Sequence, residues 1–198
     1  CKFAIEHSAP LVFRSQEASE PVDQEVVNSV PCGPAQEYLM RSGLKRSLVS
    51  CHHGLHATLG LSAYAQVTSP IRRFTDLVNQ RQLIALCKGE ALPYDEQAVA
   101  NLIEESNGGT SRARVVTRES KRFWLFRYLQ KQIKDQPRLT GTIIRDDQRH
   151  YLLELDEIFL PVILKSSEEL SRGDRVELTV SSIDPRYDYL RLQVTKKL

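Results

Sequence analysis

The sequence has no long apolar run. None approaches the roughly 20 residues that a bilayer-spanning helix needs. The basic start, apolar stretch and small-residue cleavage site of a secretory leader are absent too. These two absences give the expectation of a soluble chain with no membrane contact, kept in a cytoplasmic compartment or in an organellar stroma or matrix. Cysteine is scarce and irregular: Cys1, Cys32, Cys51 and Cys87 form no CxxC pair. That spacing argues against a disulfide framework and favours reduced thiols. Excess charge of one sign is lacking as well, with 27 Lys+Arg against 25 Asp+Glu and a net charge of +2. Overall charge therefore does not announce a polyanion binder. Clustered aspartates are missing: the one adjacent pair, Asp146-Asp147, falls in a turn-like region. The first residue is Cys1 rather than Met, and the helix-like opening to His7 has no capping residue, so the expectation is a part of something longer.

What is there suits a packed fold. The 198 residues are 41% hydrophobic, enough for one large domain or a medium one with a small companion. Leu11-Val12-Phe13 reads as a buried strand, followed by a polar, proline-containing loop to about residue 25. Glu37 to Ser42 predicts a short helix stopped by Gly43, and 49–67 reads as strand and loop. Pro70 to Lys88 predicts a helix ended by Gly89. A second helix is expected over Asp95 to Ser106, with a break or kink at Asn107-Gly108-Gly109. Ser111 to Lys134 then predicts a long helix whose Val115, Phe123, Trp124, Phe126, Tyr128, Leu129 and Ile133 pack in a core. Asp135-Gln136-Pro137 marks the domain boundary. Beyond it come five short alternating segments, at 139–144, 151–155, 159–164, 175–182 and 189–194. The reading is an α+β protein, helix-rich over 1–135, with a small five-stranded OB-fold β-barrel over 136–198.

Chemistry concentrates in Thr68-Ser69-Pro70-Ile71-Arg72-Arg73. Ser69 suits an N-cap and Pro70 a first helical position. Arg72 and Arg73 then project from a first turn whose free N–H groups already favour an anion. One reading is a phosphate site; the other is a capped helix whose arginines meet solvent or Asp76, four residues from Arg72. From Ser111 to Lys134 eight Lys/Arg face the single Glu119, and such a basic helix with interleaved aromatics fits either a polyanion or a solvated face. Cys51-His52-His53 with His56 has zinc-type donors, but the second ligand pair of a closed tetrahedral site is missing, so an ordinary loop is the favoured reading. Tyr187 and Tyr189 with Arg186 and Arg191 suit base stacking on a barrel or plain hairpin ends.

The run from Leu59 to Leu83 resembles the C-terminal signature of the ribonuclease II/ribonuclease R (RNB) family of exoribonucleases. Leu59-Gly60-Leu61, Tyr64, Thr68 to Arg73, Phe74, Asp76 and Arg81 carry the resemblance. Weaker agreement extends to Pro10 to Gln16, and to Arg118-Glu119 with Phe123-Trp124. The chain departs from the pattern at Gln66 and Gln80, where histidine is frequent, at Thr58, where glycine is usual, and at Phe74, where tyrosine is usual.

The resemblance implies the C-terminal part of an RNB-type catalytic domain followed by an OB-fold RNA-binding domain. It implies processive hydrolysis of single-stranded RNA from the 3′ end to nucleoside 5′-monophosphates. Clustered aspartates hold Mg²⁺ in that chemistry, and an arginine offsets the charge growing on the phosphoryl oxygens. Arg72 is the catalytic residue so implied, with Arg73, Ser69, Tyr64 and Glu119 as RNA-binding residues; Arg73 also suits a core ion pair, and Glu119 suits neutralising its own helix. Asp76 and Arg81 suit either locking the arginine helix behind Arg72 or, as the favoured reading, a plain structural ion pair for each. The metal-holding aspartates precede the Pro10 to Gln16 segment in the family, so no metal ligand is expected here. The expected partners are single-stranded RNA and the upstream half of the same domain, in a monomer. An exoribonuclease piece inactive alone, a non-catalytic RNA-binding or scaffolding relative, and a generic α+β protein with a barrel appendage are the three readings. Intact upstream aspartates favour the first over the second.

Overall fold

The computed structural model describes residues 1–135, 137–147 and 150–198. Its elements run α1 (Lys2–Glu6), β1 (Phe13–Ser15), α2 (Gln24–Ser29), α3 (Pro34–Ser42), β2 (Leu48–Ser50), α4 (Phe74–Lys88), α5 (Glu96–Asp135), β3 (Arg138–Asp147), β4 (His150–Leu155), β5 (Leu160–Lys165), β6 (Arg175–Asp184) and β7 (Tyr189–Lys197). The chain divides into two compact units, residues 1–20 with 44–114 and residues 21–43 with 115–198. Gln136, inside the expected boundary Asp135-Gln136-Pro137, lies outside the described residues.

In the first unit β1 and β2 form a short antiparallel pair, with Arg14 opposite Val49. Leu11 and Phe13 pack with Ala4 and Ala9 in one apolar cluster. Val12 points the other way and joins Val78, Val99 and Ile103 in a second. Period-2 alternation thus lets one short segment serve two cores. α4 begins at Phe74, later than the Pro70 expected from the Ser-Pro pair. The physical reason is Asp76. Its carboxylate accepts from the Ser69 N–H at 2.9 Å and from the Arg73 guanidinium, holding residues 69–73 as a turn ahead of the helix. The Ser69 carbonyl closes that turn by accepting from the Arg72 and Arg73 N–H groups. Gly89 ends α4 in the left-handed region, φ 68°, as a helix stop requires.

α5 corrects a second expectation: it is one helix of 40 residues, unbroken at Asn107-Gly108-Gly109. Each helical glycine costs only about 1 kcal/mol relative to alanine, too little to interrupt a ladder continued on both sides. The aromatic residues of its second half also divide. Phe126 and Leu129 are fully buried, whereas Trp124 is 66% exposed and Tyr128 half-exposed. Successive residues turn by about 100°, so positions 126, 129 and 133 share a face that 124 and 128 oppose. The expected core aromatics are therefore only partly core.

The second unit is built on a five-stranded antiparallel sheet of order β5-β4-β3-β6-β7. It curls into a half-barrel of OB type, and all five expected strands are present. Leu129 of α5 packs with Leu139, Ile143, Leu153, Leu155 and Leu178 in its core. The pairing of β3 with β4 shifts register between Ile143 and Arg145. That bulge lets both Ile143 and Ile144 be buried, the second against Val27, Val30, Ala35 and Leu39 of the α2–α3 segment. α2 begins at the end of the loop expected to about residue 25 and continues past it; Asp23 caps it by accepting from the Glu25 N–H at 2.9 Å. At Gly141 an added Cβ would lie 2.7 Å from the Glu154 carbonyl oxygen, so only glycine allows β3 and β4 their close approach.

Candidate functional site

α4 buries three polar side chains spaced three residues apart: Asp76, Asn79 and Gln82. Each ties the helix to another segment of the first unit. Asn79 accepts from the Val12 N–H at 2.7 Å and donates to the Val12 and Gln66 carbonyls. Gln82 donates to the carbonyls of Pro10 and Tyr94 and accepts from the Tyr94 N–H. Asp76 holds Arg73 through Nε at 3.0 Å and Nη2 at 2.7 Å. Arg73 also donates to Thr68 Oγ1 at 3.2 Å. A fully buried carboxylate meets a mostly buried guanidinium here, and removing either partner strands the other's charge.

This stapling fixes the turn that carries Arg72. Arg72 is exposed, and among the described residues its guanidinium makes one hydrogen bond, a long 3.5 Å approach to Ser69 Oγ. It faces a cleft of about 680 Å³ whose walls are Ser47 to Val49, the 72–75 turn and one face of α5 from Ser106 to Arg114. Four arginines line it: Arg14, Arg72, Arg73 and Arg114. The Arg14 guanidinium is held below its ordinary pKa, first by burial and then by the positive charges of Arg73 and Arg114; Asp76 and Tyr64 oppose that shift. Arginine stays protonated nonetheless. Asp76 is committed to Arg73, so the cleft carries net positive charge with free guanidinium forks. That arrangement suits bidentate binding of phosphate oxygens.

The structure brings Ser69, Arg72 and Arg73 together on one turn. Tyr64 lies behind it: its carbonyl accepts from the Arg14 N–H at 2.8 Å, and its ring meets His56 edge-on at 5.3 Å. Glu119 is outside this group, exposed on α5 in the second unit. Arg81 donates to the Tyr94 hydroxyl rather than pairing with a carboxylate. Arg14 and Arg114 were not among the sequence candidates, nor were Asn79 and Gln82. The signal for the amides was present as polar residues on a helix face that should be apolar.

Among the described residues, no cluster made of carboxylates alone offers itself to magnesium. Mg²⁺ wants hard oxygen ligands in near-octahedral array, whereas Asp76 is buried in an ion pair, Asp146 pairs with Arg172 and Asp147 with Arg145. The single metal-like cluster among the described residues mixes sulfur, nitrogen and oxygen: Cys51, His52 and Glu96. The donors here do not fit the magnesium that the resemblance implies. No helix among the described residues is long and apolar enough to cross a membrane.

An arginine-lined cleft and an OB-type half-barrel are features that this chain shares with nucleic-acid-binding proteins as a class. The RNB domain model matches residues 8–89. The chain is 35% identical over 196 residues to the "Uncharacterized ribonuclease sll1290" of Synechocystis sp., covering 97% of this chain and 29% of the relative. It is 27% identical over 194 residues to "Ribonuclease II, chloroplastic/mitochondrial" of Arabidopsis thaliana, covering 95% of this chain and 24% of the relative. The Dss1 exoribonuclease of Candida glabrata shares the fold with a TM-score of 0.81 at 21% identity, over 96% of this chain and 26% of that one. A Mycoplasma genitalium RNase R in complex with ribose methylated single-stranded RNA gives 0.69 at 16% identity, over 96% and 38%. The chain carries an RNB domain over residues 8–89 and resembles ribonucleases over nearly its whole length. It spans under a third of the length of the two curated relatives described.

Proposed function

We propose that this chain is the C-terminal part of a 3′→5′ exoribonuclease that hydrolyses single-stranded RNA to nucleoside 5′-monophosphates. Residues 1–135 form one wall of the catalytic domain and 136–198 an RNA-binding barrel. The observation that carries this reading is the cleft in which Arg72 stands free while its neighbour Arg73 is locked to Asp76.

Arg72 takes the scissile phosphate, because a guanidinium fork aimed at phosphoryl oxygens gains most as charge develops on them. Arg14 and Arg114 hold neighbouring phosphates and keep the strand in register. Arg73 positions the turn through Asp76, and Ser69 anchors its first residue. Tyr64 braces the Arg14 backbone, and Glu119 contacts RNA from the second unit. Mg²⁺, held by the upstream half of the catalytic domain, supplies the activated water. Without that half, this chain binds RNA but does not cleave it.

The test is incubation of 5′-labelled single-stranded RNA with magnesium, using the chain alone and the chain joined to its upstream half. The expected result is a gel shift without cleavage in the first case and a ladder shortening from the 3′ end in the second. In the joined protein Arg72→Ala should lower turnover at least 100-fold, about 3 kcal/mol of transition-state stabilisation, with RNA affinity changed only a few-fold. Equal losses in turnover and affinity would remove Arg72 from the chemical step.

A further inference from the structure

We propose that Cys51, His52 and Glu96 bind a thiophilic divalent cation of the zinc class, at a site separate from the arginine cleft. Cys51 and His52 directly follow β2, and Glu96 is the first residue of α5. Cys51 Sγ lies 3.9 Å from Glu96 Oε1 and 3.9 Å from His52 Nε2. His52 Nδ1 lies 3.5 Å from the same glutamate oxygen. One donor atom from each residue falls within 4.8 Å of the others. A tetrahedral zinc ion with bonds of about 2.0–2.3 Å holds its ligands about 3.3–3.6 Å apart. The donors therefore need only a modest contraction. One ion uses one imidazole nitrogen, so the ring must turn to offer a single nitrogen to both neighbours. The His52 and Glu96 side chains are 78% and 64% exposed, which leaves room for that movement. His53 is not a fourth ligand, since its ring stacks edge-on against Phe13 at 5.9 Å.

The donor set decides the ion. Thiolate and imidazole select zinc over magnesium, which takes oxygen ligands and keeps its waters. On binding, the Cys51 thiol releases its proton to solvent as the sulfur–metal bond forms. The neutral imidazole and the Glu96 carboxylate each contribute a lone pair. Water completes the fourth position. The ion joins the loop after β2 to the first turn of α5. Both elements also line the arginine cleft, β2 through Leu48 and Val49 and α5 through Ser106 to Arg114. Metal therefore stiffens the cleft walls without entering the cleft.

The test uses the chelator-treated chain in a Cys1→Ser background, because an N-terminal amine and thiol chelate metal on their own. Titration with Co²⁺ should produce a near-ultraviolet thiolate-to-cobalt band that saturates at one equivalent and disappears on adding Zn²⁺ but not Mg²⁺. Cys51→Ser should abolish the band, and Glu96→Gln should weaken zinc at least tenfold in competition with a chromophoric chelator. Absence of the band, its survival in Cys51→Ser, or an unchanged affinity in Glu96→Gln overturns the site. Should Cys51→Ser misfold by circular dichroism, zinc protection of Cys51 from a thiol reagent decides instead. Unchanged labelling of Cys51 with zinc present refutes the proposal.

Discussion

Arg72 and Arg73 are adjacent in sequence and opposite in circumstance. One is exposed with a single long contact; the other is clamped by a carboxylate with no solvent exposure. The motif from Thr68 to Arg73 was legible because its residue types are rare in that order. What the sequence did not resolve is which arginine is free, since that depends on where Asp76 points. Arg14 and Arg114 were missed for a related reason. Neither is marked by local spacing, and the fold alone brings them to one cleft. Asp76→Asn keeps the shape of the carboxylate but leaves the Arg73 charge uncompensated. It should destabilise the protein by about 2–3 kcal/mol, read as a lower urea midpoint. Asn79→Ala should cost a comparable amount, because it strands the buried Val12 N–H and carbonyl.

At the scale of elements, the strands of the second unit were read from alternation and turn residues, and each is present. Alternation survives because, Ile144 at the β3 bulge aside, these strands bury one face in the barrel core. The helices were less legible at their ends. A capping pair at Ser69-Pro70 was outcompeted by a side chain six residues beyond the proline, and Asn107-Gly108-Gly109 was overruled by the helix on either side. Two glycine substitutions separate the two kinds of glycine. Gly108→Ala places its Cβ in open space and should stabilise α5 by about 0.5–1 kcal/mol, seen as a raised Tm. Gly141→Ala drives its Cβ into the Glu154 carbonyl and should lower Tm by several degrees, with a loss of about 2 kcal/mol or more.

For the molecule as a whole, net charge was a poor guide, because +2 averages a basic cleft with acidic surface elsewhere. Binding of single-stranded RNA should weaken steeply with salt. The slope of log affinity against log salt should become shallower by about 0.7 for each cleft arginine that is replaced. Replacing Arg14, Arg72 and Arg114 together should therefore reduce it by about 2, measured by fluorescence anisotropy across a salt series. An unchanged slope would place the phosphate contacts elsewhere.

The second unit is assembled from two stretches of chain, 21–43 and 115–198, with the larger stretch of the first unit, 44–114, intervening. Val27, Val30, Ala35 and Leu39 are covered by Ile144, so during synthesis they wait for a strand made roughly a hundred residues later. A ribosome-bound chain stopped anywhere before β3 presents this apolar helix pair uncovered. The first unit, whose last residue is Arg114, is complete by then. Order of emergence thus separates the two units in time: every residue lining the arginine cleft is made before the strand that covers the α2–α3 segment.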